Sequence, residues 1–155
     1  IVSTSKIVKI VHKLKSEQKR IVFTNGCFDI LHVGHVRYLQ QASTYGDVLI
    51  AGVNSDQSVR RQKGEKRPIV SEENRAYLLS SLAVIDYIVI FEEETPLHLI
   101  SQILPHTLIK GGDYQVESII GYDIVTENQG QVLTIPVIVG QSTTSIIERI
   151  LRAIT

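Results

Sequence analysis

Two histidines three residues apart are the clearest candidates for chemistry. His32 and His35 close the segment 26–35, which reads GCFDILHVGH and follows a short apolar run. If a helix begins near His35, this spacing puts both imidazoles on one side of its first turn. The free N–H groups of a helix N-terminus attract phosphate, and imidazoles beside them could donate hydrogen bonds to its oxygens. Gly26 and Gly34 would let the backbone approach such a ligand closely.

The same segment allows other interpretations. The two imidazoles could bind a metal ion, although the sequence offers no obvious third ligand, or they could be unrelated surface histidines. Cys27 could be a nucleophile, but a lone cysteine behind a strand is more often a small buried filler. Asp29 could orient a substrate hydroxyl or a metal-bound water, or it could cap its own turn.

Basic side chains farther along the chain could also bind anions. Lys63 precedes Gly64 in a charged stretch, which could fold over a site as a lid or could be a solvated face. Arg75 could bind phosphate oxygens with both arms of its guanidinium.

Two further polar segments, KGGDY and STT, could complete an anion or nucleotide site. In residues 110–114, the glycines would let the backbone meet a base or ribose, and Asp113 could accept from ribose hydroxyls or a base amine. In residues 142–144, Ser142 could cap a helix while Thr143 and Thr144 reach phosphates. Tyr38 or Tyr114 could stack on a base or sugar.

The elements that must position these groups alternate between helix and strand. Apolar spacing predicts strands at 21–23, 48–53, 87–91, 108–109 and 132–135. It predicts a helix within 1–18, a helix from 34 to 45 that Gly46 closes, and a last helix over 143–154. Two further helices are predicted to begin at Ser71 and at Thr95-Pro96. Another helical segment is predicted to run to about residue 128, with Gly130 ending it. The stretch 54–68 has little periodicity and is predicted to be a loop. In the last helix, Ile146, Ile147, Ile150 and Leu151 are predicted to be core.

Short strands alternating with helices imply parallel βαβ units. We therefore predict one α/β domain over 1–155, Rossmann-like and doubly wound, with a mainly parallel sheet, helices on both faces and the helix of 1–18 packed on it. Ligands of such folds collect beyond the carboxyl ends of the strands. Three polar segments fall there, namely 25–35, 110–114 and 140–144.

Composition excludes several classes of protein. Sixteen basic and sixteen acidic residues cancel, so no global field favours nucleic acid or an anionic membrane. The apolar runs are too short to span a bilayer. One cysteine suits a reducing cytosol, and a cytoplasmic protein is expected. Because the chain contains no Met, we expect it to have been trimmed or excised from a longer protein.

The HxGH element, placed after a strand and a G-x-F-D turn, resembles the signature of the cytidylyltransferase-like nucleotidyltransferases. The segments KGEKRPIV, ENRAYLL, KGGDY and GQSTTSIIERI follow in that family's order over nearly the whole chain. This resemblance implies transfer of a nucleotide from a triphosphate to a phosphorylated acceptor, with release of pyrophosphate and with Mg²⁺ on the triphosphate.

The resemblance also implies a role for each motif. His32, His35 and Lys63 would be catalytic and contact the triphosphate, while Asp29 and Arg75 would bind the acceptor substrate. The nucleotide would be bound by Gly26, Cys27, Phe28, Gly34, Lys110, Gly111, Gly112, Asp113, Ser142, Thr143 and Thr144.

Within the family, the pattern favours ATP and a sugar 1-phosphate. Relatives that use CTP and glycerol phosphate tend to carry an arginine upstream of the last motif, whereas residues 137–144 contain none. KGGDY resembles the branch that acts on D-glycero-β-D-manno-heptose 1-phosphate. That branch implies a homodimer and a sugar kinase, fused or separate. The alternatives are a CTP-dependent enzyme of the glycerol phosphate type and an inactive nucleotide-binding protein.

Overall fold

The structure, a computed structural model, describes residues 1–112, 114–138 and 140–154. Its sheet contains the strands β1 (Ile21–Gly26), β2 (Val48–Asn54), β3 (Tyr87–Phe91), β4 (Thr107–Gly111) and β5 (Gln131–Ile135). They run parallel in the order β3-β2-β1-β4-β5. The chain first adds strands on one side of β1 and then on the other, which makes the gap between the ends of β1 and β4 the topological switch point.

Helices cover both faces of this sheet, as predicted. The helices of the described residues are α1 (Thr4–Ser16), α2 (Val33–Ser43), α3 (Asp56–Lys63), α4 (Glu72–Ser80), α5 (Leu97–Ile103), α6 (Tyr122–Glu127) and α7 (Thr143–Ile154). Phe23 of β1 packs in a core with α1, α5 and α6, whereas its neighbour Val22 packs in a second core with α2 and α4. Successive side chains of a strand point to opposite faces, so β1 anchors both layers. Ile7 and Val11 attach α1 to the first core.

The loop predicted over 54–68 is wrong in its first half, because residues 56–63 form α3. The Ser55 side chain accepts a hydrogen bond from Ser58 N–H, and Asp56 lies in the first turn. The basic residues Arg60, Arg61 and Lys63 lie in the last turn, where the helix dipole favours positive charge. Val59 is the buried apolar residue of this helix, so apolar periodicity could not reveal it.

Several predicted helix ends also differ from the structure. Helix α2 ends at Ser43, and Gly46 has no left-handed backbone. A Cβ at Gly46 would lie 2.7 Å from the Arg20 carbonyl oxygen, so glycine there allows a close crossing of the chain. Pro96 is the N-cap of α5 and not its first residue.

The helical segment predicted up to residue 128 is divided in two. A 3₁₀ turn, Val116–Ser118, precedes the short helix α6. Gln129, and not Gly130, adopts the left-handed conformation after α6.

The prediction that the apolar residues of α7 are core is wrong. No residue of α7 within 143–154 is buried, and Ile150 and Leu151 are 52% and 54% exposed. Strand β5 is packed against α2 and α6, so these helices take the positions that would otherwise cover the apolar stripe of α7.

Candidate active site at the switch point

The three polar segments that follow strands converge on one cleft. The cleft has a volume of about 340 Å³ and lies at the carboxyl ends of β1 and β4, with the N-terminus of α7 on its rim. Predicted site residues that line it are Gly26, Cys27, Phe28, His32, Gly34, His35, Lys63, Lys110, Gly111, Ser142, Thr143 and Thr144. The alternation of strands and helices therefore predicted the location of this cleft correctly.

His32 and His35 lie together at the start of α2. His32 is the N-cap, and its Nδ1 accepts the backbone N–H of His35 at 3.4 Å. The two rings stack with 3.8 Å between their centroids, and Phe28 contacts the His35 ring edge-on at 5.3 Å. Phe28 reaches this position with a positive φ of 48°. The histidines are therefore a fixed pair, which excludes the interpretation that they are unrelated surface residues.

Their surroundings keep both imidazoles neutral at neutral pH. Burial and the charge of His32 lower the pKa of His35 to about 4, and a hydrogen bond to the Ile30 backbone opposes this only in part. Burial also lowers the pKa of His32. A neutral imidazole has one N–H donor and one acceptor nitrogen. Because Nδ1 of His32 accepts from the backbone, its Nε2 carries the proton. An anion bound here would raise both pKa values.

Nδ1 of His35 has no hydrogen-bond partner among the described residues, although it is buried. Such an atom costs free energy in the absence of a partner. An unpartnered buried nitrogen is typical of a ligand-binding site, where the bound ligand either supplies the missing hydrogen bond or moves the imidazole ring.

Gly34 allows the first turn of α2 and the segment before α7 to approach one another. A Cβ at residue 34 would lie 2.9 Å from His32 Nδ1 and 3.2 Å from Gln141 Cβ. Any other residue at position 34 would displace one of these groups, so steric crowding explains why the HxGH element has a glycine there.

The N-terminus of α7 brings hydroxyls to the opposite rim of the cleft. Ser142 and Ser145 cap each other, since each backbone N–H donates to the other side-chain oxygen at 3.1 Å and 3.0 Å. Within the described part of the chain, the Thr143 and Thr144 hydroxyls have no hydrogen-bond partner, and both residues line the cleft. Ser142 therefore caps α7, while the threonines are free to bind an anion.

Two lysines supply positive charge to the cleft. Lys110 extends from the end of β4, and its Nζ lies 3.4 Å from both the backbone oxygen and the Oδ1 of Asn25. Burial lowers the pKa of Lys110; Cys27 raises it, and the charge of Lys63 lowers it further. The two ammonium groups therefore repel each other electrostatically, and a bound phosphate would offset this repulsion.

Asp29 and Arg75 do not line this cleft. Asp29 is 2% exposed, and its carboxylate accepts hydrogen bonds from the Arg67 side chain and from the backbone N–H groups of Ile69 and Val70. These bonds favour a structural role for Asp29 over contact with a substrate.

Arg75 is 1% exposed and is fully engaged within the protein. Its guanidinium donates to the carbonyls of Cys27 and Val70 and to the Asp56 carboxylate. It therefore ties the turn after β1 to the start of α3 and to the segment before α4, and its burial keeps it from a phosphate in the cleft.

The remaining predicted residues are placed as follows. Gly112 does not line the cleft; it has a positive φ of 124° and its N–H donates to the Ile135 carbonyl. Asp113 lies outside the described residues. Tyr38 lines the cleft, but its hydroxyl is bonded to Thr24 and donates to the Ile109 carbonyl; burial raises its pKa. Tyr114 is 51% exposed.

Four further residues line the cleft that the sequence reasoning did not single out: Asn25, Val137, Ile138 and Gln141. Arg67, a basic residue of the same charged stretch as Lys63, also lines it. Asn25 lies in the segment 25–35 that was expected at a strand end, so its position was a usable signal. Gln141 likewise lies in the segment 140–144 that was expected at a strand end. The positions of Val137 and Ile138 depend on how the chain after β5 folds back over the sheet, and no local pattern reports that.

Among the described residues, which do not include Asp113, no carboxylate lines the cleft, and no cluster of three His, Cys, Asp or Glu side chains could hold a metal ion. The donors among the described lining residues are lysines, hydroxyls, imidazoles, amides and the Arg67 guanidinium, which suit phosphate. Mg²⁺ would fit here as the partner of a bound triphosphate, whose negative charge it would neutralise in part. Among the described residues, no helix is long and apolar enough to cross a membrane.

An all-parallel sheet in this strand order, with a phosphate-type cleft at its switch point, defines a Rossmann-like nucleotide-binding protein. Residues 23–149 match the family described as cytidylyltransferase-like. The chain belongs to this family, as the HxGH resemblance indicated.

Similar proteins include the bifunctional protein HldE of Geobacter metallireducens, which is 56% identical over 93% of this chain, and that of Aliarcobacter butzleri, 55% identical over 93%. The chain spans 29% of the length of each of these relatives. A crystal structure of the lipopolysaccharide core biosynthesis protein from Thermoplasma volcanium is 28% identical, with a TM-score of 0.63. The match covers 77% of this chain and 97% of that one.

Proposed function

We propose that this chain transfers AMP from ATP to a sugar 1-phosphate, D-glycero-β-D-manno-heptose 1-phosphate, and releases pyrophosphate. The observation that carries the proposal is the neutral histidine pair at the N-terminus of α2. It lies in the same cleft as the N-terminus of α7, Lys63 and Lys110. Family membership supports nucleotidyl transfer.

In the proposed reaction, a phosphate oxygen of the acceptor attacks the α-phosphorus of ATP. The new O–P bond forms as the bond to the bridging oxygen breaks, and pyrophosphate leaves with that electron pair. The acceptor needs no covalent activation, because a phosphate monoester is already an anionic nucleophile. The protein's contribution is then alignment and neutralisation of charge.

The neutral imidazoles suit this task. Nε2–H of His32 donates to a triphosphate oxygen, and His35 stabilises the charge that develops at the α-phosphate. Lys63 and Lys110 add positive charge, and Thr143 and Thr144 bind the β- and γ-phosphates at the start of α7. Mg²⁺ bound by the triphosphate would neutralise part of its charge.

The remaining cleft residues would bind the nucleoside. Gly26, Cys27, Phe28 and Gly111 leave a shallow wall on which a base and ribose could lie. Asp29 and Arg75 act indirectly in this proposal, because their hydrogen bonds hold the turn that carries the histidines.

ATP and the heptose phosphate are favoured by two features. Residues 137–144 lack the arginine of the CTP-dependent pattern, and the KGGDY segment resembles the branch that acts on the heptose phosphate. The similar HldE proteins are described as bifunctional, and this chain spans 29% of their length, which supports a second activity beside this one. In our proposal that activity is a kinase that supplies the sugar 1-phosphate, fused to this chain or separate from it. An ATP-dependent step of this kind belongs in the cytoplasm. Homodimerisation remains a prediction of the resemblance.

Pyrophosphate release in the presence of Mg²⁺ tests the proposal. ATP or CTP is combined with heptose 1-phosphate or glycerol 3-phosphate, and wild type is compared with His35→Ala. We expect release with ATP and the heptose phosphate alone, and its loss in the variant.

Release only with CTP and glycerol 3-phosphate would keep the mechanism and overturn the substrates. Folded protein that binds nucleotide but releases no pyrophosphate with either acceptor would contradict the proposed activity.

A further inference from the structure

A second cavity of about 430 Å³ adjoins the cleft, within the range of roughly 300–1,000 Å³ that is usual for small-molecule sites. The two cavities share Asn25, Gly26, Cys27, Lys63 and Lys110 in their walls. These shared residues form the boundary between the cavities. The histidines and the start of α7 line the first cavity only.

The second cavity is electrically polarised. Lys63 and Lys110 lie at the boundary, whereas Glu94 and Thr95 line the second cavity alone. Within the described part of the chain, the Glu94 carboxylate and the Thr95 hydroxyl have no hydrogen-bond partner. Both are therefore free to bind a ligand. The neighbouring Gln62 is already engaged, since its side chain donates to the Glu94 carbonyl at 2.7 Å.

This distribution of charge selects the ligand's orientation. An anionic group is attracted to the lysine boundary and is repelled by the Glu94 carboxylate. A carboxylate accepts hydrogen bonds from neutral hydroxyls well. The exposed faces of Tyr114 and Ile120 offer apolar contact to a sugar ring. A molecule with a phosphate at one end and several hydroxyls at the other matches all of these features, and a second nucleotide triphosphate does not.

The position of the lysines also suits the chemistry. In-line displacement requires the attacking oxygen to approach from the side opposite the leaving pyrophosphate. A phosphate held at the shared boundary would meet a nucleotide in the first cavity from the second one.

We propose that this second cavity is the acceptor subsite and that Glu94, with Thr95, determines its preference for a polyhydroxylated phosphate ester. The inference rests on the proposed function for the identity of the reaction, but the subsite can be tested by binding alone.

The test is a titration of protein saturated with α,β-methylene-ATP, using heptose 1-phosphate, mannose 1-phosphate or inorganic phosphate as the probe. Glu94→Gln and Thr95→Val are compared with wild type, and Glu93→Gln is the matched control. Glu93 is an exposed glutamate of the same loop that does not line this cavity.

We expect Glu94→Gln to weaken binding of both sugar phosphates about tenfold, the usual effect of losing one charge-assisted hydrogen bond. Thr95→Val should weaken it less. Inorganic phosphate should bind Glu94→Gln no more weakly than wild type, because it occupies only the lysine end. Affinity for the ATP analogue and all properties of Glu93→Gln should be unchanged.

The outcomes separate this inference from the proposed function. Glu94-dependent binding of a sugar phosphate without pyrophosphate release would support the subsite and contradict the activity. Equal sugar phosphate affinity in Glu94→Gln and Glu93→Gln, or no sugar phosphate binding by wild type, would overturn the subsite even if turnover is normal.

Discussion

The two rims of the cleft are built differently. The turn after β1 is anchored from below: Phe28 and Asp29 are buried, and Arg75 donates to the Cys27 carbonyl from a position that is 1% exposed. The start of α7 has no buried residue, and its serines bond mainly to one another. One rim is therefore pre-organised, and the other is held by few contacts with the rest of the protein.

This contrast suits two different functions for the two rims. Groups that must meet the reacting phosphorus need a fixed position, because small displacements cost large factors in rate. Groups that hold the outer phosphates can be ordered by the ligand itself. Substitutions that loosen the turn after β1 should therefore lower stability or the rate of catalysis, whereas substitutions at the start of α7 should mainly weaken ligand binding.

Arg75→Ala should have the largest effect on stability. It removes the donors to two carbonyls and leaves the Asp56 carboxylate, which is 22% exposed, without its partner. The unsatisfied acceptors should lower the free energy of unfolding by about 2–3 kcal/mol. Urea unfolding measures the change. Arg60→Ala, on the exposed side of α3, should stay within about 0.5 kcal/mol of wild type. A loss below about 1 kcal/mol for Arg75→Ala would show that the turn is not held by this residue.

His35→Ala should have the largest effect on catalysis. Loss of one group that stabilises transition-state charge typically lowers kcat by about 10²–10³. Because Nδ1 of His35 has no partner among the described residues, the free energy of unfolding should change little. Pyrophosphate release and urea unfolding check the two statements. His12→Ala, an exposed histidine of α1, serves as control; an equal loss of stability and rate in His35→Ala would contradict a catalytic role.

Stability should depend on pH through the same histidine. The pKa of His35 is about 4 in the folded protein and about 6.5 in the unfolded chain. Between these two pH values the unfolded chain binds a proton at His35 and the folded protein does not, so the free energy of unfolding falls as pH decreases from 6.5 to 4. Above pH 6.5 His35 is neutral in both states and contributes no pH dependence. The loss attributable to His35 is roughly 3 kcal/mol at most. Unfolding of wild type and His35→Ala across this range should diverge accordingly; parallel curves would contradict the shift.

Ser142→Ala tests the weakly attached rim and should lower stability much less than Arg75→Ala. Loss of an N-cap side chain costs about 1 kcal/mol, and the kcat of pyrophosphate release should remain within about threefold, since a cap loss of that size is small beside a catalytic one. The KM for ATP should rise, because the start of α7 becomes less ordered. A fall in kcat comparable to that of His35→Ala would mean that both rims act on the reacting phosphorus.

The positions of many site residues could be predicted from local sequence patterns. The strand before Gly26 and the helix after His32 were recognisable from apolar spacing, so the HxGH segment could be placed at a strand end. The same held for Lys110 and for Ser142. Helix α3 was missed because its stability comes from Ser55, Asp56 and the basic last turn, and its buried face is narrow.

The roles of Asp29 and Arg75 could not be inferred in the same way. A carboxylate and a guanidinium near a phosphate motif suggest substrate contacts by type alone. Their actual partners, such as the Val70 and Cys27 backbone, lie up to 48 residues away along the chain, and spacing carries no information about such pairs.

The sequence by itself determined the alternation of elements, the parallel sheet and the place of the HxGH motif at the end of a strand, because each depends on residue types within a few turns of chain. Only the tertiary structure decided which charged groups face the cleft and which are consumed in holding it. It also decided that α2 and α6 cover β5 and that α7 stays exposed. Those outcomes depend on competition among distant segments for the same surface and the same hydrogen bonds, which no local pattern encodes.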